Sequence, residues 1–131
     1  MICFDEPFLT IHVVSDGNII WAEWKGTGTQ ESVDRAFTAG VKALVENNSS
    51  NWLADTRRFA TTDPLLVKWV NDTWVPRFVG AGVRKMAVVA PEKVIMQIQV
   101  RSFMARIDGR ELETSYFGNI DDAWAWLRAK P

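Results

Sequence analysis

Near its start the chain alternates hydrophobic and polar residues, which is the pattern of half-buried β-strands. Two alternating stretches, residues 8–14 and 18–25, flank Asp16-Gly17. This dipeptide favours a two-residue hairpin turn, in which both positions have positive φ. The expected register pairs Ser15 with Asn18, His12 with Trp21, Ile11 with Ala22 and Leu9 with Trp24.

The two faces of this hairpin differ in polarity. One face is apolar and is expected in the core: Leu9, Ile11, Val13, Ile20, Ala22 and Trp24. The other face is mixed: Phe8, Thr10, His12, Val14, Ile19, Trp21, Glu23 and Lys25. A mixed face indicates that the rest of the protein covers it only in part.

After the hairpin the apolar residues recur every three or four positions, which indicates amphipathic helices. A first helix is expected over residues 31–46. A second begins at Pro64 after the cap Thr62 or Asp63, and Pro76 is expected to kink or restart it. The remaining strands are expected at residues 52–55, 86–90 and 114–117, and the last helix at 120–127.

Residues 94–107 allow two interpretations. The stretch 94–100 alternates apolar and polar residues like a strand, whereas Met96, Val100 and Phe103 fall at helical spacing. Because the apolar stripe continues as far as Ile107, a helix is favoured over a strand.

The predicted order of elements is therefore ββαβαβαβα. Helices that alternate with strands imply a mostly parallel sheet with right-handed crossovers, and the opening hairpin must be antiparallel. The chain has 131 residues, no low-complexity segment and no linker. We expect a single α/β domain with a mixed sheet, from about residue 5 to residue 131.

Composition excludes several classes of function. Fifteen basic side chains stand against sixteen acidic ones, so the net charge of −1 favours neither nucleic acid nor an anionic membrane. One cysteine, Cys3, excludes an internal disulfide, and one histidine, His12, argues against a zinc site. No apolar run is long enough to span a membrane, and the start lacks a signal peptide. We expect a cytoplasmic domain without metal or cofactor.

Several short motifs in the second half of the chain resemble the SpoIIAA-like family, a branch of the STAS domains. They are Trp52-Leu53-Ala54-Asp55-Thr56-Arg57, Trp69, Trp74-Val75-Pro76-Arg77, Ala81-Gly82-Val83-Arg84-Lys85-Met86-Ala87-Val88-Val89, Tyr116-Phe117 and Ala123-Trp124-Ala125-Trp126-Leu127. Their order and spacing fit that family over roughly residues 21–127, and so does the predicted fold.

The resemblance implies a non-enzymatic regulatory domain. Bacterial anti-sigma factor antagonists of the STAS type bind a partner kinase around the loop after the third strand and the following helix. A serine at that helix start is phosphorylated to switch binding off. Thr61 and Thr62 are its nearest counterparts here, although N-capping alone also explains Thr62. The family is also grouped with lipid-binding SEC14-like domains.

The segment around Asp55 is the first candidate binding site. Asp55, Arg57 and Arg58 follow a predicted strand and precede a helix start, which is where ligands dock in open α/β sheets. Arginines and free helix amides favour an anion such as a phosphate or a carboxylate. The alternative is structural: Asp55 accepts loop amide hydrogens and pairs with Arg57 or Arg58.

Tryptophans supply the second candidate surface, since the chain has seven of them. Trp74 lies five positions after Trp69, about 140° away around a regular α-helix, and is expected to be exposed near the kink. Trp21 should stack on His12, and Trp126 lies off the main stripe of the last helix. Aromatic residues are enriched at interfaces, so Trp74 is a candidate contact for a partner, and Trp21, His12 and Trp126 are candidates for homodimerisation.

The leading hypothesis is a regulatory domain that docks a protein partner, such as a regulatory kinase, through residues 55–64 and the following helix. The alternative is a module for a small apolar or lipid-like ligand, with a pocket between sheet and helices lined by Trp and Met. In that alternative, Arg57 or Arg58 would hold an acidic head group. An enzyme is disfavoured, because no histidine lies beside Asp55 and no Ser or Cys stands in a nucleophile motif.

Overall fold

A computed structural model describes residues 1–61, 63–107, 109 and 111–129. The strands are β1 (Ile2–Glu6), β2 (Leu9–Val14), β3 (Ile19–Trp24), β4 (Asn51–Asp55), β5 (Lys85–Val89) and β6 (Glu113–Phe117). The helices are α1 (Gln30–Glu46), α2 (Pro64–Trp69), α3 (Val75–Ala81), α4 (Val94–Ala105) and α5 (Ile120–Arg128), and a π-helical turn (Val70–Trp74) joins α2 to α3.

In the described part of the chain the strands form one six-stranded sheet, in the order β1-β2-β3-β4-β5-β6. Pairing is antiparallel from β1 to β3 and parallel from β3 to β6. The α/β class, the mixed sheet and the order ββαβαβαβα are confirmed from β2 onward. β1 is an additional strand that the sequence did not predict, because five residues with a register shift between Ile2 and Phe4 show no regular alternation.

The register of the opening hairpin is as predicted, with His12 opposite Trp21 and Leu9 opposite Trp24. The conformation of its turn is different. Positive φ falls on Gly17 (86°) and Asn18 (52°), so the expectation of positive φ at Asp16 is wrong. Asn tolerates the left-handed region better than most residues, which lets the turn shift by one position without changing the register.

Helices cover the two faces of the sheet unequally. α1, α2, α3 and α4 pack on one face, because three right-handed crossovers step across the sheet in the same direction. α5 alone covers the other face, where it packs mainly over β4, β5 and β6. On the side of the sheet that α5 covers, β2 and β3 therefore remain partly exposed to solvent, as the mixed polarity of the hairpin predicts.

The segment from Pro64 to Ala81 is continuously helical and contains the π-helical turn. Pro76 has no N–H to donate, and the turn stands just before it, with the Val75 amide bonded to the Val70 carbonyl. Because residues five apart lie on the same side of a π-turn, Trp74 is brought to the inner side with Trp69. Trp74 is 3% exposed, and the prediction that it is exposed is wrong.

The helical interpretation of residues 94–107 is confirmed by α4, in which Met96 and Val100 are buried. β5 is buried on both faces from Met86 to Val89, as expected of a central strand. Among the described residues, no helix combines the length and apolar character needed to cross a bilayer.

Candidate functional site

Asp55 ends β4 and is the centre of a polar cluster on the α5 side of the sheet. The Arg57 Nε donates to its Oδ1 at 2.9 Å and the Arg57 Nη2 to its Oδ2 at 2.8 Å. The Trp21 Nε1 also donates to Oδ2, at 3.2 Å. The carboxylate is 2% exposed, and its hydrogen bonds raise the pKa of Arg57 above the ordinary value.

The cluster continues across the open part of the sheet. Trp21 stacks on His12 with ring centres 4.1 Å apart and planes 21° from parallel, as the predicted register requires. His12 Nε2 lies 3.0 Å from Glu23 Oε1, and the Trp124 ring of α5 meets Trp21 edge-on. Each polar group in this cluster therefore has a partner within the chain.

This geometry agrees with the structural alternative for Asp55, which pairs with Arg57 and accepts the Arg57 amide. An anion at Arg57 would have to compete with the Asp55 carboxylate. Arg58 is exposed and adjacent. Thr61 is 4% exposed, and its hydroxyl accepts from the Asp63 amide.

Three further candidates from the sequence are Thr62, Trp74 and Trp126, and Trp74 is buried in the aromatic core. Thr62 lies outside the described residues, so its cap or phosphate role stays a prediction. Asp63 is the observed cap of α2, since its Oδ1 accepts from the Leu65 amide at 2.9 Å. Trp126 lies on α5 against Phe117, with Lys85 over its ring, away from the Asp55 cluster.

A second surface feature lies where α2 and α4 run side by side. Four large apolar residues are more than half exposed there, which we name the α2–α4 patch: Leu65 (67%), Val94 (72%), Ile95 (66%) and Ile98 (66%). A groove of about 300 Å³ adjoins it, with Lys68 and Arg106 among its walls. On α2 the chain buries Leu66, and its neighbour Leu65 faces the surface.

Beneath the line along which α2 and α4 contact each other, a cavity of about 70 Å³ lies between the sheet and helices α1 to α4. It contacts the aromatic core of that face, including Trp24 and Trp52, together with Met86. A pocket in this place, lined by Trp and Met, is what the sequence suggested for a ligand-binding module. Arg57 and Arg58 are not in its wall, so the expected holder of a head group is missing.

The fold and these surfaces can be compared with known proteins. The family model described as SpoIIAA-like matches residues 19–128. The chain belongs to the SpoIIAA-like family. No curated protein and no solved structure matches it significantly.

Membership makes this SpoIIAA-like chain a regulatory domain of the STAS type, a class that is generally non-enzymatic and acts through other proteins. Among the described residues, no three His, Cys, Asp or Glu side chains are grouped as metal ligands. The charge of Asp55 is neutralised by Arg57.

The exposed patch of this SpoIIAA-like domain was not predicted from the sequence, although the apolar content of α4 indicates it. Residues 94–104 contain more apolar side chains than one buried stripe requires, and the excess falls on Val94, Ile95 and Ile98. Apolar residues beyond the core stripe of a helix indicate a second apolar face. Gln99 was also missed, because nothing local distinguishes a glutamine that lines a cavity from a solvated one.

Proposed function

We propose that this SpoIIAA-like domain is a non-enzymatic regulatory module that docks a protein partner through residues 55–64 and α2, together with the adjoining face of α4. A regulatory kinase is the class of partner that the STAS resemblance suggests. The cytoplasmic location expected from the sequence remains part of this proposal.

The α2–α4 patch carries the proposal. Large exposed apolar residues that lie together mark interaction sites in soluble proteins, whereas isolated ones are ordinary. Leu65 begins the helix that follows β4, and Ile95 and Ile98 lie on the neighbouring helix. Both helices start just after the carboxyl ends of parallel strands, the edge of an α/β sheet where partners usually bind.

The groove beside the patch indicates the chemistry of the partner. Its floor is apolar, with Val67 and Phe103, and its rim carries Lys68 and Arg106. Lys68 is already paired with Asp72. A partner segment with apolar anchors, and with an acidic group that reaches Arg106, would match both features.

The proposal is tested by making the patch polar. Leu65→Ser and Ile98→Ser, singly and together, should abolish capture of the partner, since both remove apolar area that is solvated before binding. Val45→Ser is the matched control, because Val45 is 54% exposed on α1, a different helix. Capture on beads of the tagged domain, quantified by mass spectrometry, is the measurement. Equal capture by the double variant and the control would contradict the proposal.

Homodimerisation remains a separate prediction for Trp21, His12 and Trp126. All three are partly exposed, and they lie on the α5 side of the sheet, opposite the patch. Sedimentation of Trp126→Ala against wild type tests it, and an unchanged self-association constant would remove this surface.

A second candidate function, the binding of a small apolar ligand, is favoured by one observation: the apolar cavity beneath α2 and α4. Its volume of about 70 Å³ is too small for a lipid acyl chain. It is also smaller than the cavity of roughly 150 Å³ that takes up benzene in an engineered protein. The ligand of this candidate function is therefore a molecule of a few heavy atoms.

A further inference from the structure

The wall of the cavity is almost wholly apolar. Apart from the indole N–H groups of Trp24 and Trp52, only Thr56 and Gln99 among its lining residues carry polar side-chain atoms. The Thr56 hydroxyl is buried and donates to the Val89 carbonyl at 2.5 Å. Of the lining residues in the described part of the chain, Gln99 is the one with a buried side-chain atom that has no hydrogen-bond partner.

The orientation of the Gln99 amide follows from its neighbour. Its Nε2 donates to the Thr61 carbonyl at 3.3 Å, and a carbonyl only accepts, so the nitrogen must be the atom on that side. Its Oε1 is left as a fully buried acceptor, without a partner in the described part of the chain. Leaving such an acceptor unmet is unfavourable, because it has lost its hydrogen bonds to water and gained none in return.

The acceptors in this mainly apolar wall are Gln99 Oε1 and the Thr56 hydroxyl oxygen, whose proton is given to the Val89 carbonyl. An apolar molecule with a single hydrogen-bond donor matches both the unmet acceptor and the apolar surface around it. Its donor would satisfy Oε1, and its apolar part would contact the side chains of Trp24 and Val88.

We propose that this cavity is a binding site for a small neutral molecule with a short apolar body and one hydrogen-bond donor, the chemistry of a short-chain alcohol, with the donor on Gln99 Oε1. This inference rests on the second candidate function, ligand binding, and is independent of the docking of a protein partner.

Such a molecule enters between α2 and α4, where the two helices contact each other. Val67, Gln99 and Phe103 line both the inner cavity and the outer groove, so these side chains are the wall between them. The π-helical turn adjoins this wall, since Val70 lines the cavity and the Asn71 Nδ2 donates to the Phe103 carbonyl at 2.7 Å. π-turns are frequently found at functional sites.

The test uses ¹H–¹⁵N NMR titrations of the full chain with three probes. Xenon reports an accessible apolar cavity. Propan-1-ol and 1-chloropropane have similar bodies, and only the alcohol carries a donor. We expect xenon and propan-1-ol to shift the amide signals of Val88 and Val100. Propan-1-ol should bind about three- to tenfold more tightly than 1-chloropropane, because one buried hydrogen bond contributes about 0.5–1.5 kcal/mol.

Variants assign that preference to Gln99. Gln99→Leu should remove the preference for propan-1-ol, and Gln99→Met serves as a second apolar variant if the first is poorly folded. Val100→Phe should fill the cavity and abolish the response to all three probes. A wild-type preference that survives in both Gln99 variants overturns the proposal.

Other outcomes distinguish the failure of this proposal from the failure of the ligand-binding function or of partner docking. If xenon and 1-chloropropane bind and propan-1-ol has no advantage, the donor assignment is wrong and an apolar site remains. If no probe binds, the proposal and the ligand-binding function both fail. Partner docking is tested separately by the patch variants at Leu65 and Ile98, so the outcome of the probe titrations does not affect that proposal.

Discussion

Asp55 and Asp34 have the same kinds of neighbours in different surroundings. Each carboxylate accepts a hydrogen bond from a tryptophan indole at 3.2 Å, Asp55 from Trp21 and Asp34 from Trp74. Each also lies beside an arginine. The first cluster is on the α5 side of the sheet, and the second is where α1 meets the helical segment of the opposite face.

The two carboxylates differ in exposure and in the geometry of the ion pair. Asp55 is 2% exposed and receives two short bonds from Arg57, whereas Asp34 is 48% exposed and Arg77 approaches it only to 3.5 Å. Water screens the second pair and leaves it little energy. In the first pair the carboxylate is desolvated although Arg57 is 39% exposed, so loss of Arg57 would leave a buried charge without its partner.

The tryptophans show the opposite order. Trp74 is 3% exposed and packs on Phe37 and Phe78, with ring centres 5.4 and 5.8 Å away. Trp21 is only half-buried, between His12 and the edge of α5. Both clusters combine an aspartate, an arginine and a tryptophan. The buried carboxylate stabilises the Asp55 cluster, whereas the buried ring of Trp74 stabilises the Asp34 cluster.

The largest expected effect comes from the rings. Trp74→Ala should lower the free energy of unfolding by about 3–5 kcal/mol, because it leaves a large cavity in the aromatic core. Trp21→Ala should cost clearly less, since its ring already contacts water. Urea unfolding of both variants is the measurement, and a larger loss for Trp21→Ala would reverse the comparison.

The aspartates should give the opposite ranking. Asp55→Asn should cost about 1.5–3 kcal/mol, the range for hydrogen bonds to a charged group, because Arg57 loses its buried counter-charge. Asp34→Asn is the matched control and should cost less than about 1 kcal/mol. Chemical denaturation at neutral pH and two salt concentrations distinguishes them. Similar losses in both variants would show that burial does not set the difference.

The helix that carries Asp34 depends on a close approach to the sheet at Gly40. A Cβ placed there would lie 2.7 Å from the Trp52 ring, so Gly40→Ala should destabilise by about 1–3 kcal/mol through overpacking. Gly80→Ala is the control, because its Cβ would meet nothing within 4 Å. It should stabilise by about 0.5–1 kcal/mol through helix propensity. Thermal unfolding reports both, and a stabilised Gly40→Ala would show that α1 can move away.

A third aspartate, Asp5, extends the comparison to a carboxylate that is 60% exposed. The Thr10 hydroxyl donates to it at 2.9 Å and lowers its pKa below the ordinary value, with Lys25 as a lesser cause. Asp5 therefore contributes stability above its ordinary pKa, and this contribution is lost as the pH falls through the lowered pKa.

An NMR titration of Asp5 checks this cause. Its pKa should rise toward the ordinary value in Thr10→Val, and less so in Lys25→Gln. A greater rise in Lys25→Gln would mean that the ion pair, and not the hydroxyl, holds the pKa down.

Much of the fold was predictable because its signals are local. The alternation of residues 8–25 predicted the hairpin register. That register is kept although the two positive φ angles of the turn fall on Gly17 and Asn18. The spacing of apolar residues predicted α1 and α4, and the uninterrupted apolar run predicted β5. The stacking of His12 on Trp21 followed directly from the register.

The candidate sites were predicted less well, since they join residues that are distant in sequence. Trp21 reaches Asp55 across 34 positions, because the parallel pairing of β3 with β4 sets their relative register. Trp74 was placed by a regular 100° step that a π-turn does not keep. The exposed Ile98 and the cavity acceptor Gln99 depend on how α4 rotates against α2.

The sequence by itself determined the class of fold, the order of the elements from β2 onward and the family, because periodicity, turn residues and motif spacing are read within a few residues of one another. Only the tertiary structure decided which aspartate is buried, which tryptophan is in the core and where an unmet acceptor lines a cavity. Those properties depend on the packing of whole helices against the sheet, and burial sets the energy of every charge and ring involved.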